Sequence, residues 1–414
     1  MIAEKLSTAG TVRESNEPKR AKLNIVFMAH PKFSNIASMV RFHSMLLEGM
    51  GNKGHNVQTF TPKAVFNSLP APKGLKKYLG YIDQFVVFPR FVKKQLKSLP
   101  PDTLFVFTDN NLGPWVPLVA HMPHVIHCHD FMAQQASLGQ IEEIKVGWSG
   151  RQYQNMILKG YGKGRNFISG SKKTIETLLE LLPSPPKIVE YIINGLHSNF
   201  VAHKPQQARA EVSKQFGVDL NEGYILHVGG NQWYKNRIGV IEMYDAWRKI
   251  TSKPLPLVMI GMAPSPDILE TYNQSPYKSD IHFVTNAGDN ALNLAYSGAT
   301  VFLFPSKAEG FGWPIGEAMS AGCPVITTDE APMTEVGGEA ALFIPRRPNG
   351  DAREWAKGAG QVIESVTSLN AEQRAVLVAA SIENAKRFDT DRANDRIEKV
   401  YYRIVEEHSK ARGK

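Results

Sequence analysis

Several features are scarce or missing in this sequence. Its 414 residues contain only two cysteines, Cys128 and Cys323, which are too few for a disulfide framework or a cysteine-based metal site. No apolar run approaches the length needed to cross a bilayer, and the first residues lack the apolar core of a signal peptide. These absences argue against a disulfide-stabilised secreted domain. They predict a cytosolic protein, or one attached to the inner face of a membrane.

Acidic residues are scarce in the first half of the chain. Residues 1–200 contain 24 Lys and Arg against 13 Asp and Glu, whereas residues 201–414 contain 24 against 26. The excess is concentrated in residues 51–100, which hold nine basic residues and one acidic residue. Such a patch favours an anionic partner: a phosphate-bearing acceptor, an anionic lipid surface or nucleic acid. We do not expect nucleic acid, because the charges are not interleaved with aromatic residues and no helix-turn-helix pattern is present.

Residues 73–100 combine apolar positions at helical spacing with many basic side chains. A basic amphipathic stretch of this kind can lie on an anionic membrane surface, where it would bring the protein to a lipid-linked acceptor. The alternative is an ordinary domain helix with a solvated basic face. The basic residues concerned are Lys73, Lys76, Lys77, Arg90, Lys93, Lys94 and Lys97.

The most informative stretch is residues 301–328, where two strand-like segments flank a loop and a short helix. Pro314 stands where the helix would begin and Gly322 just past where it would end. Glu309 lies in the loop, and Glu317 falls in the first predicted helical turn, where the helix dipole favours negative charge. This unit implies a right-handed parallel crossover. Its loop lies at the carboxyl end of the sheet, where open α/β sheets bind ligands.

The backbone between the two glutamates is bare, because Gly310 and Gly312 let a ligand approach main-chain N–H groups closely. Two carboxylates and a run of N–H donors around one crevice suit a ligand covered in hydroxyl groups. The sequence EGFGWPIGE, followed by AMSAGCPVI, closely resembles the retaining family 4 glycosyltransferases of group 1 type. The alternative is a capped helix that carries two surface glutamates.

The resemblance spans roughly residues 23–408 and implies a fold. This is the α/β GT-B fold, in which two doubly wound Rossmann-like domains face each other across a cleft. It also implies a division of the chain. We expect a disordered extension over residues 1–21, an acceptor-binding domain over 22–203, a nucleotide-sugar-binding domain over 204–384, and a helix over 385–414 that crosses back to the first domain.

A second glycine loop opens the second domain. Gly229 and Gly230 follow a predicted strand, and a helix is predicted to begin near Asn236. A strand, a glycine loop and a helix N-terminus in this order bind phosphate through free N–H groups and the helix dipole. Lys235 lies where a cation would reach a diphosphate, and we predict it as the main phosphate ligand. Arg237 is a weaker candidate for the same role.

The family resemblance assigns roles around the first glycine loop. It implies that Glu309, with Gly310, Phe311 and Gly312, holds the hydroxyl groups of the transferred sugar, and that Glu317 holds the ribose hydroxyls. Lys235 and Glu309 are therefore predicted as catalytic residues of the donor side.

The acceptor side is predicted from the sequence VIHCHDF, which ends a strand. A histidine at the carboxyl end of a strand points toward the crevice, where it can hydrogen-bond a sugar hydroxyl or a phosphate oxygen. The resemblance implies a His-Asp pair here, with His129 as the catalytic side chain and Asp130 as its orienting neighbour. His127, on the same face of the strand, is the alternative. Asn35, in the glycine-poor loop 31–38, is a further acceptor-side candidate.

The predicted function is transfer of a hexose from a UDP- or GDP-sugar to a glycan, a lipid-linked acceptor or a small molecule, with retention of configuration. No metal and no cofactor are expected, since the sequence has no cluster with metal-ligand spacing. Two alternatives stay open: a catalytically silent sugar-nucleotide-binding protein, and another GT-B enzyme such as a nucleotide-sugar epimerase or a glucan phosphorylase. The sequence leaves the base, the sugar and the acceptor undetermined.

Overall fold

Two six-stranded sheets, in which every paired strand runs parallel to its neighbour, organise the computed structural model. It describes residues 21–34, 36–196 and 200–413. The central strands are buried on both faces, which explains why they are continuous apolar segments without alternation. The first sheet contains β1 (Asn24–Met28), β2 (Asn56–Phe60), β3 (Leu104–Phe107), β4 (His124–Cys128), β5 (Asn166–Ser169) and β6 (Ile188–Tyr191).

The second sheet repeats this architecture. Its strands are β7 (Ile225–Gly229), β8 (Leu257–Gly261), β9 (Ile281–Val284), β10 (Val301–Phe304), β11 (Val325–Thr328) and β12 (Leu342–Ile344). The short strand β12 is absent from the sequence prediction, since three residues are too few to show a periodicity.

The strand orders locate the crevices at which ligands are expected. The first sheet has the order β2-β1-β3-β4-β5-β6, so the chain reverses its direction of progress between β1 and β3. The second sheet has the order β12-β11-β10-β7-β8-β9, with the reversal between β10 and β7. Helices leave such a switch point toward opposite faces of the sheet, and a crevice opens at the carboxyl ends of the two strands. The predicted fold class, two doubly wound α/β domains, is confirmed.

Helices connect these strands and cover both faces of each sheet. Those that accompany the first sheet are α1 (Ala37–Asn52), α2 (Lys73–Ile82), α3 (Phe88–Gln95), α4 (Val116–Val119), α5 (Met132–Ser137), α6 (Trp148–Tyr161) and α7 (Lys172–Leu181). Those that follow are α8 (Pro205–Phe216), α9 (Arg237–Arg248), α10 (Pro266–Gln274), α11 (Asp289–Gly298), α12 (Trp313–Ser320), α13 (Met333–Gly337), α14 (Arg353–Thr367), α15 (Ala371–Ala385) and α16 (Thr390–Arg412).

The basic amphipathic stretch consists of α2 and α3, joined by one π-helical turn over Asp83–Val87. Asp83 is fully buried, and its carboxylate accepts hydrogen bonds from the backbone N–H groups of Val65, Phe66 and Asn67. These bonds tie the preceding loop to the helix pair. Among the described residues, no helix is long and apolar enough to span a membrane.

The last helix, α16, completes the hydrophobic core of the first sheet rather than that of the second. Ile397, Val400, Tyr401 and Ile404 are buried against residues of β1, β3, β4 and α1. The hydroxyl group of Tyr401 lies 2.9 Å from Nε2 of His127 in β4. The first domain therefore needs residues from the opposite end of the chain.

Candidate functional site

The switch point of the second sheet holds a largely buried ion pair. Lys235 follows β7 and its glycine loop, Glu309 follows β10, and Nζ of Lys235 lies 2.7 Å from Oε1 of Glu309. Their side chains are 16% and 9% exposed. The ammonium group also lies 5.0 Å from the ring centroid of Phe304. Burying two charges costs desolvation energy that their mutual attraction barely offsets, so such a pair is weak evidence for a stabilising role. Its place in the crevice makes it a candidate ligand site.

The glycine loop before Lys235 is shaped by a close approach of two strand ends. Gly261, at the end of β8, has a φ of +150°, and a Cβ atom there would lie 2.0 Å from the carbonyl oxygen of Gly229. Gly230 is less constrained, since a Cβ atom added there would meet the side chain of Gln232 and not a backbone atom. The two loops of the crevice are also tied together, because Nδ2 of Asn236 donates to the carbonyl oxygen of Pro305 over 2.9 Å.

The loop after β10 meets the first domain at Gly310. A Cβ atom on Gly310 would lie 2.2 Å from the carbonyl oxygen of His129, so only glycine permits this contact between the domains. The hydroxyl group of Thr174 lies 3.2 Å from the His129 carbonyl and 3.3 Å from the Gly310 carbonyl. Gly312, with a φ of +103°, is the N-cap residue of α12. The packing between the domains therefore requires glycine at position 310, and the predicted approach of a ligand to this backbone stays a prediction.

Phe311 does not present its side chain to the crevice. Its ring is buried. The centroid of this ring lies 5.1 Å from that of the Trp313 ring and 6.0 Å from that of the Phe388 ring. Packing explains why the position is aromatic, and the predicted part of Phe311 in holding the sugar stays a prediction. Only the main-chain groups of Phe311 remain as candidates for ligand contacts.

Glu317 lies deeper in the same crevice. It is the fifth residue of α12 and belongs to the second turn, so the expected stabilisation by a first-turn dipole is wrong. The hydroxyl group of Tyr296 donates to its Oε2 atom over 3.2 Å. Burial raises the pKa of the Glu317 carboxyl to about 7, although the charge of Arg41 and the hydrogen bond from Tyr296 oppose the rise. Arg41 belongs to α1 of the first domain, and its Nη1 atom lies 4.0 Å from Oδ1 of Asp289 in α11.

The two candidate histidines of β4 have different surroundings. His127 is buried between Phe42 and Tyr401, and burial lowers its pKa to about 3, so it is a neutral packing residue. His129 lies at the edge of the crevice, and its Nε2 atom donates to the carbonyl oxygen of Thr108 over 2.8 Å. Burial also lowers the pKa of His129. Since a carbonyl only accepts, the neutral ring offers Nδ1 as a hydrogen-bond acceptor.

Asp130 does not orient His129. Its Oδ1 atom accepts a hydrogen bond from the backbone N–H of Met132 over 3.1 Å, and the imidazole of His129 is held by Thr108 instead. The predicted His-Asp pair is therefore wrong as a hydrogen-bonded unit. Burial raises the pKa of Asp130 to about 6, and the charges of Asp109 and Glu309 add to this rise. This dependence on Glu309 reflects how closely the two domains approach at this point.

A histidine and a carboxylate at the crevice of the first sheet were not among the predicted site residues. His30 follows β1, Asp109 follows β3, and Nε2 of His30 lies 2.8 Å from Oδ2 of Asp109. These strands are neighbours and flank the switch point of the first sheet. The signal was present in the sequence, because a polar residue two positions past the end of each strand is expected at the crevice.

Arg237 and Asn35 are the two remaining predicted site residues. Arg237 is buried, and its Nη1 atom donates to Oδ1 of Asn231 and to the carbonyl oxygen of Met262. Asn35 lies outside the described residues. Within the described ranges, no group of three or more His, Cys, Asp and Glu side chains is arranged to hold a metal ion.

Comparisons with known proteins concern the family and the fold. Residues 222–365 match the family model described as "Glycosyl transferases group 1". The chain is 32% identical over 123 residues to O-antigen chain mannosyltransferase B of Escherichia coli, covering 29% of this chain and 32% of that relative. It is 25% identical over 313 residues to an uncharacterised glycosyltransferase of Methanocaldococcus jannaschii, covering 70% and 76% of the two chains. The first of these alignments thus spans about a third of the relative's length.

Among solved structures, the chain resembles an Anabaena protein crystallised with UDP and glucose. The TM-score is 0.65 with 15% sequence identity, and the match covers 91% of this chain and 99% of the other. Likeness at this level of identity concerns the fold.

Proposed function

Because residues 222–365 belong to the group 1 glycosyltransferases, we propose that the protein transfers a hexose from a nucleotide-diphosphate sugar, a UDP- or GDP-sugar, to a hydroxyl group of a glycan, lipid-linked or small-molecule acceptor. The observation that carries the proposal is the buried pair of Lys235 and Glu309 at the switch point of the second sheet. One basic and one acidic group side by side suit a ligand in which a diphosphate adjoins a ring of hydroxyls.

Lys235 would stabilise the leaving group. When the bond between the sugar and the diphosphate breaks, negative charge develops on the β-phosphate, and a preorganised ammonium group lowers the energy of that state. Backbone N–H groups after Gly229 would share the charge. In the free protein Glu309 neutralises Lys235, so the arriving diphosphate would replace one anionic partner with another while Glu309 turns to the sugar hydroxyls.

Glu317 would bind the ribose hydroxyls of the nucleotide. Its carboxylate is buried, and in the part of the chain that the structure describes Tyr296 is the single hydrogen-bond donor to it, so it has unused acceptor capacity. Hydroxyl groups that donate to it would favour its ionised form. This role is supported by the position of Glu317 on α12, behind the loop that carries Glu309.

Transfer would proceed with retention and without a metal or a cofactor. In a same-face attack, the acceptor oxygen forms a bond to the anomeric carbon while the bond to the diphosphate breaks. The electron pair of that bond passes to the phosphate oxygen, which also takes the acceptor proton. Such a step needs no protein base, which suits a neutral His129 that orients a hydroxyl through Nδ1.

Nucleotide binding is the direct test. UDP, GDP, UDP-glucose and GDP-mannose would be screened by thermal shift and calorimetry against the wild type, the Lys235→Met variant and the control Lys214→Met, whose lysine is exposed on α8. We expect one nucleotide series to bind the wild type and the control, and to bind Lys235→Met at least tenfold more weakly, about the effect of losing one charge-assisted contact. Equal binding to all three proteins would remove Lys235 from the site.

Two other functions share this geometry. A silent sugar-nucleotide-binding protein would bind the donor without hydrolysing or transferring it, and a nucleotide-sugar epimerase would convert the donor in the absence of any acceptor. Chromatography of the donor after incubation alone, and then with methyl glycosides as acceptors, separates the three. We favour transfer, because the aligned proteins of Escherichia coli and Methanocaldococcus jannaschii are both described as transferases.

The helix pair α2–α3 would place the protein on an anionic membrane. Leu75, Tyr78, Val86 and Phe91 are exposed large apolar side chains beside the lysines of this stretch, an arrangement that suits the boundary between headgroups and acyl chains. Flotation with liposomes that contain or lack phosphatidylglycerol tests the contact. We expect binding only to the anionic liposomes, and loss of binding in a Leu75→Ser, Tyr78→Ser variant. Absence of binding to both liposomes would discard this contact.

A further inference from the structure

The crevice of the first sheet holds a polar pair whose ligand is not yet assigned. His30 lies two residues past β1, and Asp109 lies two residues past β3, the two strands that flank the switch point. The side chains of His30 and Asp109 are 12% and 6% exposed. Nε2 of His30 and Oδ2 of Asp109 are 2.8 Å apart. A buried polar pair at a topological switch point is a candidate binding site rather than a surface ion pair.

The surroundings of Asp109 determine which nitrogen of His30 carries the hydrogen. Its carboxylate accepts hydrogen bonds from the backbone N–H and the side-chain amide of Asn111, at 2.8 and 3.1 Å. Burial opposes ionisation of Asp109, but the hydrogen bonds that it accepts from His30 and from the backbone N–H of Asn111 favour it, and the pKa of Asp109 is lowered. An ionised carboxylate only accepts, and Nε2 of His30 therefore donates. In the neutral ring this leaves Nδ1 with a lone pair.

Nδ1 of His30 is available for a ligand. Among residues 21–34, 36–196 and 200–413, no hydrogen bond to this atom is present, whereas Nε2 and the carbonyl oxygen of His30 are both engaged, the latter by Thr61. In the neutral ring with this tautomer, Nδ1 is an acceptor that selects hydroxyl or amide donors and disfavours carboxylate or phosphate oxygens.

The pair also lies beside the groups proposed to act on the donor. The charge of Asp109 raises the pKa of Asp130. Across the domain boundary, the charge of Glu309 also raises this pKa and that of Lys235 lowers it. Asp109 also interacts with His129, whose carbonyl oxygen touches Gly310 of the donor loop. Asp130 thus interacts electrostatically both with the pair and with the lysine proposed to stabilise the leaving group.

We propose that His30 is an acceptor-binding residue, whose Nδ1 accepts a hydrogen bond from a hydroxyl group of a carbohydrate acceptor, and that Asp109 is the positioning residue that fixes its tautomer. This inference rests on the proposed glycosyl transfer and narrows the acceptor chemistry: the acceptor presents a neutral hydroxyl here, not an anionic group. The bond is one of orientation, and no proton is transferred to the ring.

Two substitutions separate this role from a structural one. His30→Gln keeps an amide that can reach Asp109 in place of Nε2 but removes the acceptor at Nδ1. Asp109→Asn keeps the shape of the carboxylate and can donate to Nε2, which moves the ring hydrogen to Nδ1. His121→Gln, at an exposed histidine, is the control. A purely structural pair predicts that His30→Gln behaves like the wild type.

The first measurement uses methyl glycosides of mannose, glucose and galactose as acceptors, with the nucleotide sugar that the wild type binds. We expect the KM for the effective glycoside to rise about tenfold in His30→Gln and in Asp109→Asn, the scale of one neutral hydrogen bond, with the donor KM unchanged. An unchanged acceptor KM in both variants overturns the proposal. Failure of the wild type to bind any nucleotide sugar would instead concern the proposed function.

The second measurement observes the ring directly. In full-length protein labelled with ¹⁵N-histidine, the His30 resonances are assigned by their loss in His30→Gln. We expect Nε2 to carry the hydrogen and Nδ1 to be unprotonated. Nδ1 should shift when the effective methyl glycoside is added to the nucleotide-bound protein. A protonated Nδ1 in the free wild type, or a resonance that the glycoside leaves in place, would contradict the assignment.

Discussion

The buried carboxyl of Glu317 gives the sharpest quantitative prediction. Burial raises its pKa to about 7 from an ordinary value of 4.5. Between these two values the folded protein holds a proton that the unfolded chain has released, so the free energy of unfolding falls as the pH rises through this window. The difference between a pKa of 4.5 and one of about 7 corresponds to about 3 kcal/mol.

The Glu317→Gln variant removes this titration while it keeps an oxygen that accepts from Tyr296. We therefore expect the variant and the wild type to have similar stability near about pH 4.5, and the variant to gain about 3 kcal/mol over the wild type by about pH 8. Glu339→Gln, at an exposed carboxylate of the same domain, is the matched control and should show no such gain.

Urea unfolding at a series of pH values measures the effect. The comparison uses the difference between variant and wild type at each pH, since other groups such as Asp130 also titrate in this range. Saturating nucleotide should reverse the preference, because ribose hydroxyls donate to the ionised carboxylate more strongly than to an amide. A stability difference that does not change with pH would refute the buried, partly protonated state of Glu317.

Three further outcomes are expected. Lys235→Met should lower turnover about 10²- to 10³-fold, the effect of losing one preorganised charge at the leaving group, as measured by release of nucleotide. Gly310→Ala places a Cβ atom 2.2 Å from the carbonyl oxygen of His129 and should cost about 10²-fold in turnover with nucleotide binding retained in calorimetry. Gly261→Ala, whose Cβ would lie 2.0 Å from the Gly229 carbonyl, should lower the free energy of unfolding by about 1–3 kcal/mol in urea titrations.

The second sheet was the more predictable half. The two strand-like segments predicted within residues 301–328 are strands β10 and β11, because each is a short apolar segment bounded by glycine, proline or polar residues. The loop between Glu309 and Glu317 was recognisable because its glycines answer local steric demands, such as the contact of Gly310 with His129. Local patterns of this kind involve residues that lie close together in the sequence.

The crevice of the first sheet was harder to predict, because its polar pairs join distant parts of the chain. His30 and Asp109 are 79 positions apart, and only the strand order makes them neighbours. The sequence suggested Asp130 as the partner of His129 because the two are adjacent. Successive side chains at the end of a strand point in different directions, however, and the imidazole meets the Thr108 carbonyl of the neighbouring strand.

The position of α16 has a consequence for biosynthesis. A ribosome releases the strands of the first sheet before it reaches α16, so the face of that sheet that Ile397, Val400 and Tyr401 cover stays open until α16 has been translated. The second sheet has its own strands and helices in place before then and can fold earlier. The first sheet is thus translated first but completed after the second, and a nascent chain that stalls before α16 leaves it exposed.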